Sequence, residues 1–123
     1  MDKKEALKQI KAGDFSLADA DEKLKADKEV VLEAVKQDGY ALEYADKKLQ
    51  ADKEVVLAAV KESAFALSYA DDKLKADKEV VLAAVKQDGS LEYTDESLKA
   101  DREVVLAAVE QDGYAIEFAD KSL

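Results

Sequence analysis

"DKEVVLAAVKQDG", from Asp77 to Gly89, is the stretch on which the fold turns, because near-copies of it open at Asp27, Asp52 and Asp101. The spacing is 25, 25 and 24 residues. Sliding back one period from Asp27 reaches Asp2, where "DKKEALKQIKAGDFSLADADEKL" falls into line as a degenerate first copy. Self-similarity at such a period is the signature of a repeat architecture. The chain of 123 residues therefore divides into five units, 2–26, 27–51, 52–76, 77–100 and 101–123, with no remainder for a second domain.

Within a unit, Asp27 is placed to cap a helix, its carboxylate accepting from the free amides of the first turn while Glu29 adds favourable charge at the same end. Helix A is expected from about Lys28 to Gln37, with Gly39 as a left-handed terminator. "ALEYA", from Ala41, supplies a short helix B, with Leu42 and Ala45 on one face. An Asp in a last turn would oppose the helix dipole, so Asp46 reads as a second N-cap that opens one helical turn holding Leu49. A strand reading of the paired valines fails. "VVLAAV" has no period-2 alternation and sits between helix start and stop signals. The fold class is all-α, an α-solenoid of five helical-hairpin units of about 25 residues.

Helix A is apolar around most of its circumference, so it needs a neighbour before and behind it. Leu57 in the middle unit is then expected in the core, and Leu57→Ala is expected to cost about 2 to 5 kcal/mol. The first unit reads as an N-terminal cap. Glu5 stands at the slot of Val30, Val55, Val80 and Val104, and Gln9 at the slot of Ala34, Ala59, Ala84 and Ala108, while Leu7 and Ile10 keep the inner face apolar. Nothing comparable closes the last unit: either its short helix B closes the stack, or that end is a candidate for self-association, or the array continues in a longer chain. Two departures stand out. Ala64 replaces the unit glycine, which would cost a left-handed terminator roughly 1 kcal/mol. "DGSLEY" in the fourth unit is one residue short and is expected to distort the stack there.

Composition removes whole classes of chemistry. The chain has no Cys and no His, which rules out disulfides, thiolate metal sites and Ser/His or Cys/His nucleophilic pairs. Its few glycines are too dispersed to cradle a phosphate. No cofactor is expected, and no enzymatic activity. The longest apolar runs, such as Val55 to Val60, fall far below the roughly 20 residues that span a bilayer. The N-terminus lacks the apolar core of a signal peptide, so a soluble, cytoplasmic protein is expected. At a net charge of −10, nucleic acid and anionic membranes are poor partners and a basic protein surface is a good one.

Two Asp columns recur in every unit, Asp2, Asp27, Asp52, Asp77 and Asp101, and Asp21, Asp46, Asp71, Asp95 and Asp120. Calcium would need six to eight converging oxygens. No D-x-D-x-D-G loop supplies them, and capping explains both columns. Two aromatic columns, Phe15, Tyr40, Phe65 and Tyr114, and Tyr44, Tyr69, Tyr93 and Phe118, either fill gaps between short helices or form a binding stripe. The units carry 0, −2, −1, −3 and −4 in order, so acid gathers toward the C-terminus. The candidate contact surface is therefore Tyr44, Tyr69, Tyr93 and Phe118 with the acidic residues Glu110, Asp112 and Glu117.

The string from Ala41 to Ala64, "ALEYADKKLQADKEVVLAAVKESA", returns with small changes along the chain and resembles the repeats of the domain of unknown function 4116 family. The resemblance implies a tandem helical repeat without an assigned activity or cofactor, and it offers no functional residue to carry over. The expected function is a non-enzymatic structural or protein-interaction scaffold. Two alternatives are an acidic decoy that mimics nucleic acid, and a consensus-built or engineered array, for which the close likeness of the copies speaks. Lys28, Lys53, Lys78 and Arg102 beside the cap Asp count against the decoy.

Overall fold

A computed structural model of the chain describes residues 1–88 and 91–111, and every regular element among them is helical. In chain order these are α1 (Lys3–Ala12), a 3-10 turn (Leu17–Asp19), α2 (Glu22–Lys25), α3 (Lys28–Gln37), a 3-10 segment (Gly39–Tyr44), α4 (Lys47–Gln50) and α5 (Lys53–Glu62). A second 3-10 segment (Ala64–Tyr69), α6 (Asp72–Lys75), α7 (Lys78–Asp88), α8 (Glu96–Lys99) and α9 (Arg102–Gln111) follow. No described helix is long and apolar enough to cross a membrane.

Both Asp columns act as caps. Asp2, Asp27, Asp52, Asp77 and Asp101 accept from the backbone N–H three residues on, at 2.9 to 3.2 Å. Asp21 accepts from Leu24, Asp46 from Lys48, Asp71 from Lys73 and Asp95 from Ser97, at 2.9 to 3.0 Å. Asp120 lies outside the described residues. Each cap satisfies an amide that the helix leaves without a partner, an effect of about 1 kcal/mol.

The long helices pack in chain order, α1 on α3, α3 on α5, α5 on α7 and α7 on α9, with the 3-10 segments wedged against two of them at a time. Val30, Val31, Ala34 and Val35 are buried on α3, and the matching residues of α5 and α7 are buried too. In the first unit Glu5 is exposed where Val30 is buried, and Gln9 donates to the Glu5 carboxylate at 2.8 Å. Ala6 and Ile10 form its inner face, and Leu7 is only half-buried.

Three expectations are corrected. Gly39 is not left-handed; among the described residues only Gly13 has positive φ, at 79°. Helix α3 ends because Asp38 is extended (φ −149°, ψ 105°), and its carboxylate then accepts from Tyr40 N–H to start the next turn. Gly39 is instead a close-approach position. A Cβ there would stand 2.5 Å from the Ala59 carbonyl oxygen and 3.1 Å from Ser63. Ala64 consequently carries no left-handed penalty. Helix α5 ends at an extended Ser63 just as α3 ends at Asp38, and the Gln87 amide reaches across from α7 to accept from Ala64 N–H and donate to the Lys61 carbonyl at 2.7 Å.

Leu57 is only half-buried, because the buried arc of α5 is set by Val55, Val56, Ala59 and Val60, and the same arc in α3 and α7 leaves Leu32 and Leu82 at its edge. In the fourth unit α7 runs one residue further than α3 and α5, to Asp88; the junction at Gly89 and Ser90 lies outside the described residues.

Candidate functional site

Three residues per turn decide what faces outward here. In the segment Gly39–Tyr44, Gly39, Leu42 and Ala45 are spaced by three and all are buried. That column occupies the inward face, so Tyr40 stacks above Glu43 on the outside. The next segment keeps the inward column, with Ala64, Leu67 and Ala70 buried and Phe65 exposed, but Ser68, at the slot of Glu43, is half-buried with its hydroxyl enclosed.

Rings from both aromatic columns meet as a result. Phe65 lies 5.5 Å from Tyr40 in a tilted pair, and 5.7 and 5.2 Å from Tyr69 and Tyr93 in edge-on pairs. These are the offset and T-shaped arrangements that ring quadrupoles favour. The cluster is not sealed: Tyr40 keeps 48%, Tyr44 42% and Phe65 38% of its surface exposed. Tyr93 of the fourth unit packs on Phe65 although the short "DGSLEY" of that unit has no aromatic after its Asp-Gly.

Carboxylates rim the rings. Partial desolvation, the charge of Glu43 and a hydrogen bond to its carboxylate together push the Tyr69 phenol above its ordinary value. Beyond Phe65, a cleft of about 160 Å³ opens between Ala64, Leu67, Ala84, Asp88, Glu92 and Tyr93. It is too small for a drug-sized ligand and of a size for one side chain. No group of three or more acidic side chains is placed to share a metal ion among the described residues.

Of the residues singled out in the sequence, Tyr44 is exposed, Tyr69 and Tyr93 are half-buried with Phe65 between them, and Glu110 is exposed on α9. Asp112, Glu117 and Phe118 lie outside the described residues. Tyr40 and Phe65, assigned in the sequence to the other column, are as open as Tyr44 and hold the cluster together. A period of three across "GYALEY" and "AFALSY" was the signal for them.

A ladder of ion pairs runs along the long helices. Lys3 bridges Asp27 and Glu29, Lys28 bridges Asp52 and Glu54, Lys53 bridges Asp77 and Glu79, and Lys78 bridges Asp101 and Glu103, all at 2.8 to 3.2 Å. Each lysine therefore serves the cap of the following unit, not its own. Hydrogen bonds to both carboxylates raise these lysines above 10.5. Burial pushes Asp27, Asp52 and Asp77 up, but the lysine and the capped amide outweigh it and hold them below 3.8. Capping of Val104 leads the same downward shift at Asp101. The sequence carried a sign of this: Lys4 stands at the slot of Glu29, so the first unit lacks the second carboxylate that the other units offer to a lysine. A backbone ladder stitches the turns in parallel, Asp46 N–H to Lys25 carbonyl, Asp71 to Gln50 and Asp95 to Lys75, each at 3.0 Å.

Comparison with known families gives three tandem matches to the family described as Domain of unknown function (DUF4116), over residues 4–50, 52–93 and 89–123. No curated protein matches the chain, and no solved structure matches it.

Proposed function

The chain belongs to the DUF4116 family, and we propose that it is an α-solenoid of five units serving as a non-enzymatic protein-interaction scaffold, whose aromatic face takes a basic segment of its partner. The observation that carries this reading is the open ring cluster of Tyr40, Phe65, Tyr69 and Tyr93 on a protein of net charge −10. Exposed aromatic faces attract guanidinium and ammonium groups, and the Glu43 carboxylate together with the cleft at Asp88 and Glu92 adds charge of the right sign. Support for a role outside catalysis comes from composition, since no Cys or His is present to act as nucleophile or base near neutral pH.

The ion-pair ladder weighs against a nucleic-acid decoy. A mimic needs rows of carboxylates free to face a basic cleft, whereas a lysine is inserted between each cap Asp and the neighbouring Glu.

An arginine-rich peptide titrated against the full chain by fluorescence anisotropy is expected to bind, with affinity falling as salt rises. Phe65→Ala should weaken it about five-fold, while Leu57→Ala, on the long-helix surface, should leave it unchanged. Equal affinity for the parent and Phe65→Ala would remove the aromatic face from the reading.

A further inference from the structure

The long helices carry a second surface, away from the 3-10 segments, that the basic-partner reading does not use. Leu7, Leu32, Leu57 and Leu82 are half-buried along it, and Leu106 is 53% exposed. One residue of this kind per unit makes a continuous apolar stripe across the helices. Grooves of about 420 Å³ between α3 and α5 and about 600 Å³ between α7 and α9 run beside it.

The two edges of the stripe differ in charge. On the first-turn side each lysine lies between two carboxylates, as Lys28 does between Asp52 and Glu54, which leaves one net negative charge at each junction. On the last-turn side Lys11, Lys36, Lys61 and Lys86 are exposed, and none of them forms a salt bridge with another described residue. The charges suit the helix dipoles. In α3, α5 and α7, where Glu29, Glu54 and Glu79 stand across the stripe from Lys36, Lys61 and Lys86, they also give the surface an acidic border and a basic border in register; Lys4 in α1 and Glu110 in α9 break the pattern at its two ends.

We propose that this stripe is an interface between two copies of the chain, paired about a two-fold axis that runs along the row of helices. Rotation about that axis lays leucine on leucine and swaps the borders, so Lys36, Lys61 and Lys86 meet Glu29, Glu54 and Glu79 of the second copy. A two-fold axis across the row would set lysine against lysine and is excluded. The contact is isologous and closes on itself. Five helices at about 8 to 10 Å spacing, each about 15 Å long, present roughly 600 to 750 Å² per chain, which brings the pair to the lower part of the range of specific interfaces, about 1,200 to 2,000 Å². Repulsion between two chains of net charge −10 is screened beyond about 8 Å at physiological ionic strength, whereas the paired borders are in contact.

Sedimentation equilibrium of the full chain from about 1 µM to about 1 mM tests this. The parent should pass from one chain's mass to two. The triple variant Lys36→Glu, Lys61→Glu, Lys86→Glu should stay single at concentrations at least ten-fold above the parent's midpoint, and so should Glu29→Lys, Glu54→Lys, Glu79→Lys. An equimolar mixture of the two should pair. Leu57→Gln with Leu82→Gln supplies the same reading should a charge variant lose its helical circular dichroism. Phe65→Ala should dimerise as the parent does, which separates this interface from the aromatic face. A parent of single-chain mass throughout, a dimer indifferent to lysine reversal, or folded charge variants that do not pair when mixed would each overturn the proposal.

Discussion

Gly39 shows how one residue can be read correctly as necessary and wrongly as to cause. Its φ is not positive, so the constraint lies in the space above it: the Ala59 carbonyl would be 2.5 Å from a Cβ. Gly39→Ala should therefore cost about 1 to 3 kcal/mol by overpacking, measured by urea denaturation. Gly39→Asn separates the causes, since a left-handed site tolerates Asn while a crowded one penalises it more than Ala. Leucine slots divide in the same way. Leu67 is 2% exposed, and Leu67→Ala is expected to cost about 2 to 5 kcal/mol; Leu57→Ala, at a half-buried position, is expected to cost about 1. A Leu57→Ala protein as unstable as Leu67→Ala would restore the reading of helix A as apolar on every buried side. The caps were legible because Asp before a helical run has a local explanation. Which leucine is buried was not, because that depends on the crossing of neighbouring helices.

At the scale of elements, the sequence announced the long helices through their caps and their apolar period, and it placed the short helix B within a residue or two. It did not announce that B is a 3-10 segment. The difference matters, since spacing by three sends Tyr40 and Phe65 outward, where a period of 3.6 leaves the two aromatic columns equivalent. The ion-pair ladder was half visible, as a lysine after each cap Asp whose real partner lies one unit on. The ladder has a pH signature. Asp27, Asp52, Asp77 and Asp101 are held below 3.8 in the folded chain, so their contribution is present above that value and is lost as pH falls through the lowered folded values. The lysines are raised above 10.5, so their contribution is present below that value and is lost as pH rises through the folded ones. A melting temperature level from about pH 5 to 10, falling on both sides, is expected, with a shallower acid limb in Lys53→Met. Parallel acid limbs for parent and variant would show that the ladder does not hold the units together.

Taken whole, the molecule has a direction. Each unit hands a lysine to the cap that follows and a backbone carbonyl to the turn that follows, and the first unit alone presents Glu5 and Gln9 outward, bonded to each other. Both substitutions were visible in the sequence as polar residues at slots that are apolar in the other units. The opposite end depends on residues beyond Gln111 and stays outside the described structure. Two surfaces follow from the repeat: an aromatic one on the 3-10 segments, rimmed by carboxylates, and a leucine one on the long helices, bordered by both charges. The first is the surface proposed to take a basic partner. Chemical-shift mapping of the full chain with an arginine-rich peptide tests it most directly. The account predicts that the largest perturbations fall on Tyr40, Tyr44, Phe65, Tyr69 and Tyr93, and that they fade as salt is added. Perturbations centred on the leucine stripe, or spread evenly over the acidic residues with the rings unmoved, would contradict it.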